Sequence, residues 1–198
     1  MRYLAPRSAC ALAVVLTCAS LDGATLSRQQ AETFERKVVE INGPRRSGAP
    51  PRRTSLTQDE INSWFTFRAQ PVLPDGIVDP QVNIIGGGRM TGQATMDLEA
   101  IGKRRSSGGL LDPWTLLGGR VPITVTGTLQ TREGVGRFAM ESATLAGIPV
   151  PKPVLQEILS LYSRSAGHPR GVNLDAPFPL PAAIRQIEVG RGEAVVVQ

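Results

Sequence analysis

Several groups of residues have types and spacings that could do chemistry, and each has a plainer alternative. Gly86-Gly87-Gly88-Arg89 offers free backbone N–H groups beside a guanidinium, as an anion cradle would. A phosphate-binding loop, however, ends in Gly-Lys-Ser/Thr and opens a helix. This run precedes a strand pattern, so it reads as a hairpin turn. Gly134-Val135-Gly136-Arg137-Phe138-Ala139 imitates a dinucleotide fingerprint but also opens a strand, which removes the helix N-terminus that chemistry needs. His168 is the sole histidine and lies in a Gly-Pro loop. No second histidine can share a metal with it, and no Gly-x-Ser-x-Gly elbow can use it as a base. Asp97 and Glu99, two apart, would share one strand face as paired glycosidase carboxylates might, yet that face is the polar side of an alternating strand. No catalytic, metal or cofactor residue is assigned, and the chain reads as a non-enzyme.

Binding residues are more plentiful. Arg45, Arg46, Arg52 and Arg53 could touch an anionic membrane surface, or could simply solubilise a connector. Leu110, Leu111, Trp114, Leu116 and Leu117 crowd one inter-strand connection, either as a core plug or as the lip of an apolar groove. Met90, Met96 and Met140 can pack a core or adapt to a hydrophobic ligand. Leu155, Leu159 and Tyr162 lie on the apolar face of a helix pattern. The candidate ligand-binding set is therefore Met90, Met96, Leu111, Trp114, Leu117, Met140, Leu155, Leu159 and Tyr162.

The elements that must position these residues are dominated by two long alternations. From Met90 to Ala100 the even positions are Met, Gly, Ala, Met, Leu and Ala, and the odd ones are polar. From Val121 to Leu129 the odd positions are apolar and the intervening ones are mostly threonine. Period two marks a strand with one buried face. Eleven residues at about 3.3 Å each span roughly 36 Å, twice the usual strand. Such strands suit a curved antiparallel sheet around something apolar.

Around them the spacing predicts a helix from about Ser27 to Ile41, stopped at Asn42-Gly43-Pro44. Residues Arg45 to Arg53 then read as a poorly ordered cationic loop. Thr57 and Glu60 form a capping box for a second helix, with Leu56 stapling onto Ile61. Strands are expected over Ile77–Ile85, Arg89–Ile101, Val121–Arg132 and Val135–Leu145. A helix over Lys152–Ser165 and a closing hairpin, Ile184–Val189 and Glu193–Gln198, complete the order. The class is α+β, a curved antiparallel meander wrapped around amphipathic helices.

The first residues read as a leader. Arg2 and Arg7 precede the apolar run Ala9–Leu16, with cleavage expected after Ala19 or Ala24. That run is shorter than the roughly 20 residues a membrane span needs. Retention as an anchor, or lipid attachment at Cys18, is the alternative outcome. Both cysteines, Cys10 and Cys18, lie in this segment, so the mature chain has no disulfide. The net charge of +5 is a modest excess, and nucleic acid is an unsuitable partner for an exported chain. The expected division is a signal peptide over 1–24, an N-terminal helix and Arg/Pro-rich loop over 25–55, and one α+β domain over 56–198.

With the elements in place, the chain from Leu56 to Gln198 resembles small exported members of the tubular lipid-binding (TULIP) superfamily. The resemblance rests on the Leu56–Asn62 helix start, the long meander, Gly147-Ile148-Pro149-Val150-Pro151 before the amphipathic helix, and the ending Pro179-Leu180-Pro181 through Val189. It implies a half-barrel rolled around a long helix, a groove for acyl chains and no catalytic residues. The expected function is a periplasmic or extracellular protein holding a lipid-like ligand for envelope transport. The alternative is an envelope scaffold with the same fold and a filled core.

Overall fold

The computed structural model describes residues 26–44, 48–74, 76–97, 119–162, 171 and 173–198, with the backbone alone described at 158, 161 and 162. The described part is α+β with two antiparallel sheets. Helix α1 spans Arg28–Asn42, β1 Arg53–Thr57 and α2 Gln58–Phe67, followed by a 3-10 turn at Gln70–Val72. The strands β2 (Ile77–Gly86), β3 (Arg89–Asp97), β4 (Arg120–Arg132), β5 (Val135–Leu145) and β6 (Ile148–Pro149) form a continuous meander. Helix α3 (Lys152–Tyr162), β7 (Phe178–Pro179), β8 (Gln186–Val189) and β9 (Glu193–Val197) complete the order. The six-stranded sheet runs β2-β3-β4-β5-β6, with β7 pairing the other end of β5, and the smaller sheet runs β1-β9-β8.

Local chemistry explains the boundaries. Ser27 Oγ caps α1 by accepting from Gln30 N at 3.2 Å. Thr57 and Glu60 close the capping box in both directions, at 3.2 Å and 3.0 Å. The meander turns at Gly87-Gly88 and Glu133-Gly134 both place two successive residues at positive φ. That is the twist a two-residue hairpin requires. Three register shifts bend the sheet, at Asp79-Pro80, at Ile85 and at Glu141.

Helices α1 and α2 pack through small residues. Ala31 and Ser63 are fully buried between them. Ser63 Oγ accepts from Ser27 N and donates to Gln30 Oε1, which ties the start of α1 to the middle of α2. Beside this contact Phe34 and Trp64 stack obliquely, their centroids 5.4 Å apart. Lys37 reaches over to the buried Glu60 carboxylate at 2.7 Å and to the Ser55 carbonyl at 2.8 Å.

The smaller sheet covers the turn end of the larger one. Ile84, Val189 and Ala194 are buried together with Val82, Met90, Leu129 and Ile61 packed around them. A second cluster joins Ile41 of α1 to Ile184 and Val196, with Leu56 beside them. At the far end of the long strands, Met96 is buried among Ile77, Val121, Ile123 and Leu145.

Several expectations are corrected. The final hairpin belongs to a separate sheet. Arg53 lies in β1, paired with Val197, so the stretch ending there is no loose loop at its C-terminal end. The same strand runs across residues 55 and 56, and Ile41 of α1 packs on Val196 of β9. Leu56 packs against the cluster of Ile41, Ile184 and Val196, and Ile61 against that of Ile84, Val189 and Ala194. Finally, the helix with Val154 to Tyr162 on its apolar face would be expected to share an interior with Met90–Ala100, but the helix on the Met90 end of the sheet is α2, through Ile61, and α3 packs beside β5.

Candidate functional site

The register of the meander sorts the apolar face into rows across the strands. Ile84, Met90, Gly127 and Met140 form one row, and Val82, Gly92, Val125 and Ala143 the next. Ala94, Ile123 and Leu145 follow, and then Ile77, Met96 and Val121. Long alternation places these residues on one side because side chains reverse at each step of a strand.

The middle of this face is shallow. Gly92 is exposed, and a Cβ added there would meet nothing within 4 Å. It stands between the side chains of Met90, which pack against Ile84, and Met96, which pack against Val121 and Ile123. Ala94 extends the low floor along the same strand. On the β5 side Ala143 is buried, and α3 packs beside that strand. The result is an open stretch of apolar sheet surface at Gly92, Ala94 and Val125, with free space above Gly92. One neighbouring position is filled instead: the Phe138 ring lies over Gly127, where a Cβ would come within 2.5 Å of it.

Of the expected ligand-binding residues, Met90 and Met140 share a row, both half-buried, on either side of Gly127. Met96 sits three rows away in its own cluster. Leu155 is buried on α3 and Leu159 is half-buried. Leu111, Trp114 and Leu117 lie outside the described residues, as does the Tyr162 side chain. Sequence reasoning missed Gly92 and Phe138 as the residues that open and close the face. A glycine inside a strand pattern was the available signal for the first.

The arginines divide similarly. Arg45 and Arg46 lie outside the described residues, with His168, Glu99 and the leader. Arg52 donates to the Gln198 side-chain oxygen and to the Glu40 carbonyl. Arg53 forms a two-pronged pair with Glu188 at 2.5 and 3.1 Å. The Arg53 hydrogen bond and charge hold the Glu188 carboxyl below its usual range, and Glu188 raises Arg53 in turn.

The opposite face of the sheet is polar. Thr91 and Thr126 share a hydroxyl–hydroxyl bond at 2.9 Å. Glu141 accepts from Thr128 at 2.8 Å and from Arg89 at 2.7 Å, and the Thr128 bond, followed by Arg89, lowers its carboxyl from the usual value. Asp97 pairs with Arg120 at 3.7 Å, which is a structural use of that carboxylate. Among the described residues no cluster of His, Cys, Asp and Glu could hold a metal, and no helix is long and apolar enough to cross a membrane. Comparisons with protein-family models, with curated proteins and with solved structures found no match.

Proposed function

We propose that the protein is a non-catalytic exported binding protein that seats a hydrophobic, lipid-like ligand on the apolar face of the six-stranded sheet. The observation that carries this reading is Gly92: an exposed residue without a side chain, in the centre of an otherwise apolar face, between Met90 and Met96. Sheltering an acyl chain there contributes about 0.8 kcal/mol per buried methylene before association costs. Flexible methionine walls suit ligands of varied shape. On this reading the sheet and α3 form the half-barrel of the tubular lipid-binding superfamily, with Leu111, Trp114 and Leu117 at the entrance and Leu155, Leu159 and Tyr162 along the wall. Arg45 and Arg46 would favour an anionic membrane surface, Arg52 and Arg53 being held by Glu40, Gln198 and Glu188, and envelope lipid transport is the role this implies. Lipid extraction and mass spectrometry of the purified mature protein test it. Co-purified lipid at near-stoichiometric amount supports the carrier, and its absence contradicts it.

A second reading, the envelope scaffold with a filled interior, is favoured by Phe138. Its ring already occupies the space over Gly127 that a ligand would otherwise enter.

A further inference from the structure

Sheet edges expose unpaired backbone groups, and proteins ordinarily cover them. Three edges here are covered by specific groups. On β2, Asn62 bonds both the Val82 N–H and C=O, Gln58 Oε1 accepts from Ile84 N, and Gly192 N donates to Ile84 O. On β8, the Thr131 hydroxyl accepts from Ile187 N at 2.8 Å and donates to Ile187 O at 2.9 Å. On β1, Lys37 donates to Ser55 O.

The outer edge of β5 is different. Its ends are paired, Val135–Gly136 with β7 and Thr144–Leu145 with β6. Gly134 O accepts from Leu180 N, which sets the phase: the backbone groups of Gly136, Phe138 and Met140 point away from β4. After the bulge at Glu141 the outward residue is Ala143, whose carbonyl accepts from Val150 N. Among the described residues the outward N–H and C=O of Phe138 and Met140 have no partner. Exposed apolar side chains flank this window: Val135 and Phe178 at one end, Ile148 (68% exposed) in β6 at the other, with Val154 on α3 beside β5. Arg137 is exposed within it and has no ion pair among the described residues.

We propose that this window on β5 is a docking slot for a short extended segment of a partner protein, added as a strand, with an acidic residue opposite Arg137. The inference is independent of the lipid reading. Backbone bonds to Phe138 and Met140 would supply affinity, and Arg137 and the apolar flanks would supply specificity. A second copy of the chain fits poorly. Antiparallel pairing of two β5 strands about Ala139 would run residue 142 of the copy onto Phe178 of β7.

Two fluorescein-labelled seven-residue peptides of alternating valine and threonine, one ending in aspartate and one in lysine, which antiparallel pairing along residues 137–143 sets opposite Arg137, test this by anisotropy on the full mature chain. The aspartate peptide is expected to bind more tightly, and Arg137→Glu to reverse the order. Met140→Pro removes one outward N–H and should weaken binding by about tenfold or more, whereas Met140→Leu should not. If Met140→Pro fails to fold, methylating alternate backbone nitrogens of the peptide makes the same test: one alternate set must abolish binding and the other must not. Equal binding by both methylated sets, no binding of either peptide to the wild-type chain, or a dimer in sedimentation that Met140→Pro dissolves would each overturn the proposal.

Discussion

The carboxamide of Asn62 treats the backbone of Val82 as a neighbouring strand would: it donates to the Val82 carbonyl and accepts from the Val82 N–H, both at 2.8 Å. A helix side chain thereby completes the edge of β2 and fixes α2 on the sheet. Asn62→Leu removes both bonds while keeping the size of the side chain. It should cost about 1–3 kcal/mol in chemical denaturation and, by uncovering the edge, produce concentration-dependent association in light scattering.

The assigned faces of the meander can be checked with two glycines. A Cβ at Gly127 would stand 2.5 Å from the Phe138 ring and 2.6 Å from the Ala139 carbonyl oxygen, and the backbone cannot yield cheaply. Gly127→Ala should destabilise by about 1–3 kcal/mol. Gly92→Ala meets open space at an ordinary strand φ, and should be neutral or stabilising by up to about 1 kcal/mol. Equal melting shifts for the two variants would contradict the packing described.

Thr131 holds the smaller sheet against β4 through the two Ile187 backbone bonds. Thr131→Val is nearly isosteric and strands both groups, so a loss of about 1–3 kcal/mol is expected, whereas Thr131→Ser should retain most of the stability. Hydrogen exchange at the Ile187 amide should accelerate in the valine variant alone.

Acid should loosen the pair between β1 and β8. The Glu188 carboxyl is held below its usual value by Arg53, so the folded state binds that proton less readily than the unfolded chain. The pair's contribution is complete above the ordinary carboxylate range near pH ~4 and is lost as pH falls through the lowered value. Glu188→Gln should lower the melting temperature slightly at neutral pH and flatten its decline on acidification, the effect shrinking with salt because the pair is exposed.

Much of the meander was legible because period-two alternation is a local signal. Met90–Asp97, Val121–Leu129 and the glycine turns emerge where that signal places them, as does the Thr57–Glu60 capping box. What joins the elements carried no such signal. Nothing near Arg53–Thr57 marks it as a partner for β9 about 140 residues later. Leu56 and Ile61 have the spacing of a staple, but nothing local marks the Ile41–Val196 and Ile84–Val189 clusters they pack against. Asn62 and Thr131 read as ordinary polar residues until the edges they cover are known. The apolar face was legible from its alternation, but the open space above Gly92 was not, because it depends on what packs above that residue.

Gly92→Phe therefore tests the central claim most directly, because the new ring would fill the free space above Gly92 at a position with an unstrained backbone. Titration of a fluorescent fatty acid into the wild-type and variant proteins, with their melting temperatures matched, is the measurement. The lipid-binding account predicts saturable binding to the wild type and a loss of about tenfold or more in the variant. Unchanged affinity in Gly92→Phe, or no saturable binding to either protein, would contradict it.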